Sequence, residues 1–284
     1  MKNLFLFTLL ISLFMGTPQV FAQFGEPDVQ EREKPRNLYD EGYKTGFGFN
    51  FSLNDFGIGA GGQFRLGLNS YTEVLATLKI AGLKDPTEQT YIDYTFGFKT
   101  VPEKYKRVFA VPLYIGVKQR FFAEDISDNF RVFSSLSAGP VFAFSIPYFN
   151  DLNGNGFREN DPRVYTDYLW PEPILDVFAG WDESESYWGF GGEIVIGIDF
   201  GDKFKNLSSV QFGYTMNYFK DGIQVLEPCK PDLNRKGQAA LNPCGMGPSM
   251  IRVEENSFAP MERVNDPRKY FGSAQISFVF GWMW

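Results

Sequence analysis

The residues best suited to chemistry lie in the run Asp151-Leu152-Asn153-Gly154-Asn155-Gly156-Phe157-Arg158-Glu159-Asn160-Asp161. Oxygen-bearing side chains recur at Asp151, Asn153 and Asn155, and Gly156 stands where a sharp turn is needed. This resembles the D-x-N-x-N-G opening of an EF-hand-type calcium loop, in which oxygen ligands surround a hard cation. Asp151, Asn153 and Asn155 would offer side-chain oxygens, Phe157 a backbone carbonyl, and Asp161 the nearest closing carboxylate. The twelfth position is Pro162 rather than Glu, and flanking helical patterns are missing. The other reading of the same residues is an Asx-rich turn on a solvated acidic loop. Calcium is the one cofactor the sequence suggests, and none is required.

A second set of groups is spread along the chain: Arg65, Lys79, Lys99, Lys118, Arg120 and Arg131 against Glu73, Asp93, Glu193 and Asp199. Each falls on the polar side of an alternating segment. If those sides share one interior, the charges should meet as an ion-pair network that fills it, because an unpaired buried charge is costly. In a wider barrel the same groups would line a narrow solute path. Two of Asp93, Glu193 and Asp199 could form an acid/base carboxylate pair, but so many basic neighbours on the same face favour ion pairing. The chain contains no His, which removes Ser-His-Asp, Cys-His and His-based zinc machinery. The glycine run Gly57–Gly62 lacks the Lys-Ser/Thr ending of a phosphate loop. No catalytic residue is expected, and the chain reads as a non-enzyme. Cys229 and Cys244 lie in one loop-like stretch, and an oxidising compartment would join them as a disulfide.

The formal charge is -7, which argues against nucleic acid as a partner. The stretch from Pro147 to Ser186 holds nine acids against Arg158 and Arg163, an excess as large as the whole chain's net charge. That stretch and the one from Asp221 to Lys269 read as two long loops, and loops on a rigid scaffold carry most binding roles.

The elements that must position these groups are strands. From Tyr270 to Trp284 one face carries Tyr270, Ala274, Ile276, Phe278, Phe280, Trp282 and Trp284, and the other Ser273, Gln275 and Ser277. The same two-residue period runs through 46–53, 58–68, 73–80, 92–99, 109–120, 131–146, 188–200 and 209–218, and no helical period competes with it. Residues 1–22 pair Lys2 with an apolar run and a small-residue ending at Ala22, the pattern of a secretory signal peptide. Residues 23–43 read as a polar, flexible periplasmic leader, and 44–284 as the barrel domain. No later stretch reaches the roughly 18 apolar residues of a spanning helix. Strands cross a membrane only as a closed barrel, because backbone groups in hydrocarbon must all pair. The fold class expected is all-β, an antiparallel transmembrane up-and-down barrel with long extracellular loops. Nine segments alternate, whereas single-chain bacterial barrels have even numbers. Either 46–53 is not a full wall strand, giving eight, or one strand is hidden, giving ten; eight is favoured. Walking back from a periplasmic C-terminus then puts 83–90 in the periplasm and 69–71 outside.

The ending Ile276–Trp284, the alternating strands and Val20–Ala22 together resemble the small outer-membrane β-barrel proteins, the OmpA-barrel/OmpX/OmpW-like group. The resemblance covers about residues 44–284 and is architectural. It implies an outer-membrane location with loops extracellular and termini periplasmic. It also implies contact with outer-membrane lipid and lipopolysaccharide. Phe278, Phe280, Trp282 and Trp284 are similar to the signal read by the barrel-assembly machinery. The expected role is a structural one in the envelope, or binding of an extracellular or envelope protein partner. The alternative is a narrow channel for small or apolar solutes.

Overall fold

The computed structural model describes residues 38–92, 99–122, 130–159, 172–201, 205–245, 247, 249–254 and 256–284. In chain order, β1 (Thr45–Asn54), β2 (Gly57–Gly67) and β3 (Thr72–Leu83) are followed by two short strands, β4 (Tyr91–Ile92) and β5 (Lys99–Thr100). Then come β6 (Lys106–Phe121), β7 (Phe130–Pro147), β8 (Glu185–Phe200) and β9 (Asn206–Ile223). A small sheet of β10 (Cys229–Pro231), β11 (Met250–Glu254) and β12 (Ser257–Arg263) precedes the last strand, β13 (Arg268–Met283).

Eight of these strands close into an antiparallel barrel, each pairing with its neighbour in the chain and β1 pairing with β13. Closure runs from Gly46↔Met283 to Asn54↔Gln275. It depends on glycine at the seam: a Cβ on Gly281 would lie 2.0 Å from the Phe47 carbonyl oxygen. β-Branched and aromatic residues fill the walls because they pack well on a pleated, half-buried surface. Side chains alternate along every wall strand. On β13, Phe271, Ser273, Gln275, Ser277, Val279 and Met283 are buried inside, while Tyr270, Ile276, Phe280 and Trp282 are exposed outside.

The count of eight arises differently from the sequence expectation. Segment 46–53 is a full wall strand, paired along its length with both β2 and β13. The segment that drops out is 92–99. Its described ends, Ile92 and Lys99, pair with each other in the β4–β5 hairpin, and β3 pairs directly with β6 from Thr72↔Gln119 to Leu83↔Val108. Its sequence alternates as a wall strand's does, so periodicity alone could not separate the two. One consequence is that the connections 83–90 and 69–71 exchange ends. Turn 55–56 and the described parts of the connections 84–105, 148–184 and 224–267 now share one end, with both barrel termini at the other.

At the terminal end, Leu38 packs with Tyr43, Leu207, Val279 and Met283, and the Tyr43 amide donates to the Leu38 carbonyl at 2.9 Å. Residues 38–43 of the expected flexible leader are thus a turn folded against the barrel. The expected signal peptide and residues 23–37 lie outside the described residues.

Candidate functional site: a salt-bridged lumen beneath a loop cap

Parity along β2, β3, β6 and β8 sends Arg65, Glu73, Lys118, Arg120 and Asp199 into the same level of the lumen. Lys118 Nζ lies 2.5 Å from Asp199 Oδ2 and 3.4 Å from Glu73 Oε2. Arg65 Nη1 lies 3.1 Å from Asp199 Oδ1, and its Nε and Nη2 donate to Gln63 and Ser209 at 3.0 Å each. Arg120 donates to Glu73 Oε1 at 2.5 Å, and Ser209 donates to Asp199 Oδ1 at 2.5 Å. Glu73 Oε2 has ion-pair neighbours, Lys118 and Arg65, but no hydrogen bond. These three bases and two acids leave one positive charge in excess. Phe133 meets that excess with its ring face, 4.0 Å from Lys118 Nζ. Arg65 and Lys118 are both 0% exposed, so no water-sized space reaches them.

A second, neutral pair sits nearer the loop end. Lys79 Nζ lies 2.5 Å from Glu193 Oε2, and Gln275 bridges the two, accepting from Lys79 at 3.1 Å and donating to Glu193 at 2.7 Å. Above it the lumen turns apolar: Leu83, Val108, Val141, Phe219, Ile223 and Phe271 pack into one buried cluster. The interior is therefore layered, with an apolar floor, an ionic layer, a neutral pair and an apolar ceiling.

Of the expected network, Arg65, Glu73, Lys118, Arg120 and Asp199 meet in one cluster, and Lys79 meets Glu193 in the other. Arg131 sits at the barrel end, where its Nη1 donates to the Gly201 carbonyl at 3.1 Å. Lys99 belongs to β5 rather than to the wall. Asp93 lies outside the described residues. Sequence reasoning missed Phe133 and Gln275 as participants. Phe133 shares the parity of Arg131 and Ser135, which was the available signal.

Over the ceiling lies a cap built from the loops. The Asx turn is held by its own chain: Asp151 accepts from the Asn155 and Gly156 amides at 3.1 and 2.9 Å. Asn153 Oδ1 accepts from the Asn155 amide and Asn155 Oδ1 from the Phe157 amide, at 3.0 and 2.8 Å. The Asn153 and Asn155 amide nitrogens both donate to Glu159 Oε1. Among the described residues no group of three or more Asp, Glu, Cys or His side chains is placed to hold a metal. Asp161, the expected closing ligand, lies outside them. Cys229 and Cys244 are joined, as expected, in a disulfide. It staples β10 to the stretch that leads into β11. Its reduction is expected to loosen 229–250 by about 3 kcal/mol of restored chain freedom. Limited proteolysis should then cut that stretch faster, with the barrel core intact.

Two buried glutamates tie the cap together, and sequence reasoning gave neither a special role. Glu172 accepts from the Leu152 and Glu159 amides at 3.0 Å each, joining both arms of loop 148–184. Glu227 accepts from the Arg158 amide at 3.3 Å, joining that loop to 224–267. Burial, opposed by these two amide hydrogen bonds and reinforced by Asp151 and Glu159, pushes Glu172 up to about 7. Burial, reinforced by Glu103 and opposed by Lys230 and Arg158, pushes Glu227 up to about 8. Both values lie above the ordinary 4.5, so the folded cap holds protons that the opened cap would release. That stabilisation is complete below the ordinary value and is lost as pH rises through 7 and 8. Proteolysis or amide exchange at 151–159 and 226–230 should therefore accelerate from mildly acid to alkaline pH, beyond the intrinsic pH effect. The Glu172→Gln, Glu227→Gln double variant should flatten the profile.

No protein-family model matches the chain, and no curated protein sequence matches it significantly. The fold and the site define its class directly: an all-β, closed eight-stranded antiparallel barrel with an ion-paired lumen and a disulfide-bearing loop cap.

Proposed function

We propose that this barrel spans the bacterial outer membrane as a non-enzymatic envelope protein. On this reading its plugged wall carries the acidic cap as a structural or partner-binding surface outside the cell. The observation that carries the reading is the outward face. Leu78, Ile80, Leu113, Ile115, Leu136, Ile194 and Ile196 form an exposed aliphatic band at mid-height. Aromatic residues flank it at both ends: Phe121, Phe130, Phe200 and Trp282 near the termini, and Trp188, Phe190 and Tyr270 near the loops. An apolar band between two aromatic girdles is the signature of a transmembrane barrel, whereas a soluble monomer rarely leaves so large a patch in water. The layered, water-excluding lumen favours a plug over a solute path. The absence of His and the pairing of the lumen carboxylates favour a non-catalytic role.

Planar-bilayer recording tests both halves of this reading. Refolded protein should insert, migrate differently on gels with and without boiling, and give no stepwise conductance. Discrete conductance steps would transfer the proposal to a channel.

A further inference from the structure

We infer that the segment 173–184 is a lipid anchor, which lies on the outer wall of the barrel and places Phe178 among acyl chains of the outer leaflet. The inference rests on the membrane reading above and extends it from the strands to a loop.

The first support is where the segment runs. After β7 the chain forms the bridge Phe149↔Ile174, and the Leu175 amide donates to the Tyr148 carbonyl at 3.0 Å. Arg107, on the outward parity of β6, then clamps the returning chain. Its Nη2 donates to the Leu175 carbonyl at 2.7 Å, and its Nη1 donates to the Asp176 and Pro147 carbonyls at 3.4 Å each. Ile146 has the outward parity of β7 yet is fully buried. Trp181 packs its ring 5.3 Å from Phe144, another outward residue of β7, and Phe144 stacks at 5.4 Å on Phe109 of β6. The loop therefore comes down outside the wall instead of rising into solvent, and it extends the aromatic girdle.

The second support is what the segment displays. Phe178 is 85% exposed, and Val177 and Trp181 are exposed beside it. In water this cluster would be unfavourable, and among the described residues nothing covers it. Against acyl chains each of these side chains is stabilised as its apolar area leaves water. The one polar atom of the Trp181 ring is already satisfied, since its Nε1 donates to the Val177 carbonyl at 3.0 Å. Asp182 and Glu183 follow at once and are exposed, which suits the polar boundary just above an aromatic belt. A rigid clamp, an apolar tip and a charged exit together describe an interfacial anchor.

The native cysteines are both in the disulfide, so an added cysteine gives a unique labelling site. Phe178→Cys and Val177→Cys carry a bimane label in phosphatidylcholine vesicles whose lipids bear a nitroxide near the headgroup end of the chain or, for the mid-height wall position, near its terminal methyl. Ile194→Cys, on the aliphatic band, reports the barrel wall, and Leu241→Cys, 91% exposed in the cap, reports solvent. The expected result is strong lipid quenching at 177, 178 and 194. Iodide quenching at 177 and 178 should fall several-fold below that at 241. If 177 and 178 behave like 241 while 194 is quenched by lipid, the anchor is refuted and the membrane reading stands. If 194 also escapes lipid quenching, both fall.

Discussion

Replacing Asp199 by Ala is expected to destabilise the folded barrel by about 3–5 kcal/mol, because it leaves buried charges without their counter-ion. Asp199 is the hub of the ionic layer, receiving Lys118, Arg65 and Ser209. Without it, three cations would share Glu73 alone, in a place where water does not reach. Urea titration of the variant in vesicles, followed by the gel-mobility shift, measures the loss. The control is Lys118→Met with Asp199→Leu, which removes a cation together with the anion. Arg65 keeps Glu73 as a neighbour at 3.9 Å, and Arg120 keeps it at 2.5 Å. The double variant should recover a substantial part of the loss, since apolar replacement of a whole buried pair is often close to neutral. If the separate losses of Lys118→Met and Asp199→Leu simply add up to that of the double variant, the cluster does not act as a unit.

Ile194→Arg is the second large effect, and it tests location. Ile194 is 57% exposed at mid-height on β8, opposite Leu136 on one side and Tyr214 on the other. On a water-facing wall such a change would shift stability by no more than about 0.5 kcal/mol. At the midplane of a bilayer it should cost about 2–4 kcal/mol. The cost should shrink when the same arginine is placed near either girdle, at Phe200 or Tyr270, because the penalty depends on depth. A flat profile across these three positions would remove the lipid from the outer face.

The sequence by itself determined the pleat and its two sides. A period of two is local, so Phe49, Phe280 and Trp282 could be assigned outside, and Arg65, Lys118 and Asp199 inside, with no knowledge of partners. It also placed the disulfide pair in one loop, where Cys229 and Cys244 are joined. Only the tertiary structure decided which strands are neighbours. That choice made 46–53 a wall strand and left 92–99 out of the wall, because β3 and β6 pair directly. It sorted the interior charges into two clusters, since ion pairs form between strands far apart in the chain, such as Arg65 with Asp199. It also drew Phe133 and Phe271 inward, although their types resemble those of the outer face. Side chain chemistry is written residue by residue, but the low-dielectric surroundings that give Glu172 and Glu227 their unusual protons exist only once separate loops pack together.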